Sequence, residues 1–124
     1  MQRVIGLGGV FFKAKDAPAL REWYRRHLGL DMQDWGGVAW PLAQDQQAGA
    51  VNILSVFAGD SRYFEPSAAP FMLNLRVADL DAVLAALRAE GCDVDARVEA
   101  SEFGKFGWVM DPEGHRIELW QPPG

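Results

Sequence analysis

The sequence predicts an α+β fold: two βαβββ modules, related by internal duplication, forming a curled mixed sheet around a pocket with the helices outside. Three observations predict it. The order strand, helix, several strands occurs twice along the 124 residues. Local sequence repeats as well: Trp35-Gly36-Gly37-Val38-Ala39-Trp40 lies over Phe103-Gly104-Lys105-Phe106-Gly107-Trp108 at an offset of 68, and Lys13-Ala14-Lys15-Asp16 over Arg76-Val77-Ala78-Asp79 at 63. The difference between the offsets is a small insertion or deletion between helix and second strand. Finally, 49% hydrophobic and 23% charged residues in a chain of this length suit one domain with a core of its own, needing no metal or disulfide staple.

In the first module (about 1–58), residues 10–14 read as a strand. Asp16 is a helix N-cap with Pro18 in the first turn, where its missing N–H costs nothing. Leu20, Trp23, Tyr24 and Leu28 fall on one helical face, and Gly29 sits where a left-handed stop belongs. Residues 37–42 and 50–57 are the next predicted strands, joined through a polar loop around 44–47. A polar, proline-bearing linker (about 59–70) follows. The second module (about 71–124) repeats the plan. A strand spans 71–77, Asp79 caps a helix whose apolar face is Leu80, Val83, Leu84 and Leu87, and Gly91 closes it. Strands are predicted over 92–98, 106–110 and 116–121, the last two joined by the turn Asp111-Pro112-Glu113-Gly114.

Composition excludes several classes. A net charge of −5 disfavours nucleic acid, whose phosphates need a basic face. No apolar run approaches the ~18–20 residues of a membrane span. The apolar stretch 4–12 is broken by Gly6, Gly8 and Gly9 and lacks a cleavage pattern, so no signal peptide is expected. A lone Cys92 fits a reducing cytoplasm. Gly6-Leu7-Gly8-Gly9 lacks the third glycine of a dinucleotide loop and leads into a strand. Five Trp and seven Phe exceed what so small a core requires.

The set Asp16…Trp23-Tyr24-Arg25-Arg26-His27-Leu28-Gly29-Leu30, Val77-Ala78-Asp79-Leu80-Asp81 and Asp111-Pro112-Glu113-Gly114-His115-Arg116-Ile117-Glu118-Leu119-Trp120 resembles the glyoxalase, bleomycin resistance and extradiol dioxygenase superfamily (vicinal oxygen chelate fold) over nearly the whole chain. The resemblance implies metal ligands on the first and last strands of each module in those members that use a metal. Carried over by position, these fall on Gly9, near Ser55, on Met72 and on Glu118. Only Glu118 is a competent ligand, whereas a catalytic metal needs about three from His, carboxylate or thiolate. No metal and no other cofactor is therefore expected.

Strand alternation then assigns the pocket wall. Ile117 and Leu119 face the helices, as do Phe71, Leu73, Leu75 and Val77, and as do Val10, Phe12 and Ala14. The pocket side receives Phe11, Trp40, Ser55, Phe57, Met72, Asn74, Trp108 and Glu118, with Trp40 and Trp108 expected across from one another. Tyr63 and Phe64 in the linker are placed to close over it. Arg76 or Arg116 is the expected partner of an inward-facing Glu118.

The wall is aromatic and apolar with sparse polar groups, the make-up of a small-molecule site. The first expectation is metal-independent binding: sequestration of a planar ligand, planar cations among the candidates. The alternative is a metal-independent isomerase or lyase, with Glu118 as general base and Asn74 or Ser55 stabilising an oxyanion. A weaker alternative is metal-dependent chemistry of the glyoxalase type. A homodimer is the expected assembly, with neither membrane nor nucleic acid as partner.

Overall fold

Helix α1, Ala17–Leu28, starts as its sequence dictates: the Asp16 carboxylate accepts the Ala19 N–H at 3.1 Å, and Pro18 sits in the first turn. Gly29, at φ +70°, stops it. These elements belong to a computed structural model that describes Arg3 and residues 7–124. Gly6 of the glycine-rich segment, and the start of the apolar stretch around it, lie outside the described residues.

The sheet is built from the second half. It comprises β1 (Leu73–Arg76), β2 (Asp93–Val94), β3 (Glu99–Ser101), β4 (Gly104–Met110) and β5 (Arg116–Gln121), with helix α2 (Leu80–Ala89) crossing between β1 and β2. Strand β1 runs parallel to β5, β5 antiparallel to β4, and β4 antiparallel to both β2 and β3. Among the described residues the sheet stays open, with β1 at one edge and paired on one side only. Asp79 caps α2 by accepting the Ala82 N–H, and Gln121 Oε1 takes the Leu80 N–H at 2.9 Å.

The core lies between the helices and one sheet face. Leu80, Leu84 and Leu87 of α2 pack with Val109, Ile117 and Leu119, and Leu20 and Tyr24 of α1 complete the cluster. Leu73, Leu75 and Val77 pack against it, so the predicted helix-facing rows of β1 and β5 are the observed ones. Each fully buried leucine contributes about 1.5–3 kcal/mol. Gly107 lets α2 approach β4 closely: a Cβ there would lie 2.9 Å from Leu84 Cδ1.

Helix α1 is fastened to this half through the turn between β4 and β5. Asp111 is buried and accepts the Tyr24 hydroxyl at 2.9 Å, His115 Nδ1–H at 2.7 Å, and the backbone N–H groups of Glu113 and His115. The Glu113 carboxylate accepts the N–H groups of Lys15 and Asp16, just ahead of the helix. Burial, followed by the neighbouring Asp111 charge, pushes the Tyr24 phenol far above its ordinary range.

The first half departs from expectation. Among the described residues no strand precedes Leu73; the predicted strands 10–14, 37–42 and 50–57 carry no ladder, and a 3-10 turn, Leu42–Gln44, ends the second of them. Their apolar side chains stand largely in solvent, Phe11 at 93% and Val56 at 92% exposure. A strand exists only where a neighbour accepts its backbone N–H groups, and among the described residues no ladder forms beside these segments. Phe12 and Ala14 do turn to the helix side: Phe12 lies against Tyr24, Phe71 and His115, and Ala14 packs on the core. The predicted strand 92–98 is also shorter, reduced to β2, with β3 formed beyond it.

Candidate functional site

On the sheet face opposite α2, alternation lines up Arg116, Glu118 and Trp120 on β5 with Met110, Trp108 and Phe106 on β4. The turn at Asp111 sets the register, so Trp108 stands directly opposite Glu118 and Phe106 opposite Trp120. On the other side of β5, Asn74 of β1 is the register partner of Glu118. The carboxylate therefore sits between two neighbours that donate to it. Trp108 Nε1–H reaches Oε2 at 3.0 Å and Asn74 Nδ2–H reaches Oε1 at 2.8 Å.

A third donor arrives from the linker. The Tyr63 hydroxyl donates to Glu118 Oε2 at 2.6 Å, and burial, then that hydrogen bond and the charge behind it, push the Tyr63 phenol well above its ordinary range. Glu118 is 7% exposed. A carboxylate so enclosed is tolerated because its oxygens are hydrogen-bonded. The sequence suggested Arg76 or Arg116 as its partner, and the structure corrects this. Arg76 pairs with Asp45 and donates to Gln47, while Arg116 pairs with Asp95 at 3.4 Å.

The two guanidinium groups nearest the site stack instead. Arg97 and Arg116 lie 4.8 and 4.9 Å from the Trp108 ring centre, and Tyr63 meets that ring edge-on. Trp108 is consequently 1% exposed and serves as the floor of the site. Trp40 is 62% exposed and makes no ring contact with it, so the expected pair of facing tryptophans does not form within the chain. The cause is that residues 37–42 carry no ladder, so no strand holds Trp40 over the face that bears Trp108, whose ring takes cation–π partners instead.

Asn74, Trp108 and Glu118 are thus brought together. Phe57 joins them through Tyr63, on which it stacks at 5.6 Å, with Phe64 at 5.0 Å from Phe57. Phe11, Trp40 and Ser55 stay exposed, and Met72 is half-buried. Beside the floor opens a depression of about 580 Å³ lined by Arg62, Tyr63, Glu65, Pro66, Asp95, Arg97 and Arg116. Sequence reasoning missed Arg97 as a site residue and Arg116 as a ring partner. The register fixed by the turn would have revealed the Trp108–Glu118 pair; no local signal places Arg97.

The glyoxalase-like domain model matches residues 9–120, a span that takes in every residue of this floor. The chain belongs to the glyoxalase-like domain family. Solved structures share its fold at low identity. TnmS3, an antibiotic binding protein from Streptomyces sp. CB03234, is 20% identical, with 88% of each chain covered and a TM-score of 0.53. TioX from Micromonospora sp. ML1 is 19% identical, covering 89% of this chain and 93% of its own, at TM-score 0.52. A protein from the mobile metagenome of V. Pseudocholerae is 14% identical over 100% and 99% of the two chains, at TM-score 0.62. None of the curated proteins compared with the chain matches it significantly. Among the described residues no helix is long and apolar enough to cross a membrane.

Proposed function

We propose that this glyoxalase-like protein is a metal-independent binding module that sequesters a planar small molecule over the Tyr63–Trp108–Glu118 floor. The observation that carries the reading is the enclosure of Glu118 by three donors, Tyr63, Asn74 and Trp108. The one carboxylate at the family's ligand positions is committed to these three donors. Gly9 has no side chain to offer, and the Met72 thioether is a poor ligand for a hard ion. This donor set does not fit a catalytic metal, and no step is routed through one.

The same enclosure weighs against Glu118 as a general base, since Tyr63 and Trp108 already occupy Oε2 and Asn74 reaches Oε1, leaving a substrate proton a single acceptor site on a carboxylate only 7% exposed. Asn74 likewise directs one of its two amide N–H groups to Glu118. What the floor offers a ligand is aromatic surface from Tyr63 and Phe57, with guanidinium and carboxylate groups at the rim. The antibiotic-binding neighbour TnmS3 shares the fold and supports the class of ligand without naming it.

The binding unit is a homodimer. Among the described residues the outer edge of β1 is unpaired, and the apolar row of the first half, Phe11, Leu54 and Val56 among it, is exposed. A second copy supplies the missing ladder and completes the wall to which Phe11, Trp40 and Ser55 were assigned.

Titration with ethidium and with bleomycin, followed by tryptophan fluorescence, tests the ligand class. Saturable quenching that weakens at least tenfold in Tyr63→Phe or Trp108→Phe supports the proposal. No response in the wild-type protein, or equal affinity in both variants, rejects it. Light scattering tests the assembly: a dimer that Phe11→Asp converts to monomer is expected, and a wild-type monomer removes that part of the reading.

A further inference from the structure

On the helix side of the sheet, away from Glu118, three ligand-competent side chains converge. His27 stands in the last turn of α1, Glu90 is the C-cap of α2, and Cys92 follows two residues later. His27 Nδ1 and Glu90 Oε1 are 2.7 Å apart, and ligand atoms of all three residues lie within 4.8 Å of one another. His27 is nearly enclosed, Cys92 is half-buried, and Glu90 reaches in from the surface. We propose that His27, Glu90 and Cys92 form a binding site for one zinc-class divalent cation, with a water in the fourth position.

Ligand chemistry favours this class of ion. Imidazole, thiolate and carboxylate are the three groups zinc takes, at roughly 2.0–2.3 Å, so tetrahedral ligand atoms stand roughly 3–4 Å apart. The observed spread of up to 4.8 Å is wider than that, so binding draws the three side chains together. The field favours it too, because both helices end here and their C-terminal carbonyls place partial negative charge on the site. Arg26 is the cation facing the thiol and opposes the ion.

A cysteine binds a metal as thiolate, so binding exchanges one proton for the metal. The S–H bond breaks, the S–metal bond forms, and the proton leaves to solvent. The ion would tie the end of α1 to the junction of α2 and β2, a second fastening of the first half beside the one at Asp111.

Cys92 is the chain's only cysteine, so thiol alkylation reports this site alone. With Zn²⁺ at ten times its dissociation constant, alkylation by iodoacetamide should slow about tenfold by mass action. Co²⁺ should bind one per chain and show thiolate-to-metal charge-transfer absorption, lost in Cys92→Ser and in His27→Ala. Unchanged alkylation at saturating Zn²⁺ would overturn the proposal and leave His27 and Glu90 as a hydrogen-bonded pair only. A cobalt signal that persists in His27→Ala, or lacks the charge-transfer band, overturns it equally. The alkylation experiment uses the wild-type chain, so its outcome decides the matter even where a variant fails to fold.

Discussion

The two halves of the chain start from the same plan and end differently. The second half closes its strands into one sheet and buries Leu80, Leu84 and Leu87 against it. The first half forms the matching helix, with the same aspartate cap, yet leaves its strand segments unpaired and its apolar side chains in water. A helix satisfies its own backbone, whereas a strand depends on a neighbour that its sequence does not contain. Repetition in the sequence therefore guarantees the helices and only invites the strands.

The sharpest way to break this comparison is to remove a leucine from each half. Leu84→Ala should cost about 2–5 kcal/mol in denaturant unfolding, through lost burial and the cavity left. Leu54→Ala, at protein concentrations too low for association, should stay within about 0.5 kcal/mol. A large effect of the second substitution in the monomer would mean that the first half has a core of its own.

Tyr24→Phe comes next, because it cuts one buried link between the halves. Removing the hydroxyl leaves Asp111 short of a buried donor and should cost about 1–3 kcal/mol. The pH dependence has a definite sign. The folded phenol titrates above its ordinary value of 10.0, so its contribution is complete below pH 10.0 and is lost as the solution becomes more alkaline. The variant should lose part of the wild-type protein's alkaline sensitivity, read as the slope of stability against pH.

Smaller, and equal in the two halves, are the caps. Asp16→Ala and Asp79→Ala should each cost about 1 kcal/mol by thermal unfolding. A clear inequality would show that one helix depends more on its start than on its packing. The smallest effect concerns Asp45, whose carboxyl the Arg76 guanidinium holds below its ordinary value of 3.8. That tie is intact above pH 3.8 and is lost as the pH falls through the lowered value. Asp45→Asn should abolish this acid-dependent component, visible by NMR titration of residues around Gln47.

Local chemistry made much of the fold legible. Asp16, Asp79, Gly29 and Gly91 marked the helix ends, because capping acts within a few residues. Alternation placed Ile117 and Leu119 inside and Glu118 with Asn74 on the other face, because side chains swap sides at every residue. Pairing at a distance was not legible. Tyr63 meets Glu118 across 55 residues, and the linker that carries it has no periodicity to read. Trp108 was assigned to the correct face but to the wrong partner, because alternation gives a side and not a neighbour.

The grip of Asp111 on Tyr24, together with that of Glu113 on the backbone at Lys15 and Asp16, has a consequence for assembly. Helix α1 therefore stays with the second half of its own chain, and a second copy that docks meets helix and sheet as one unit.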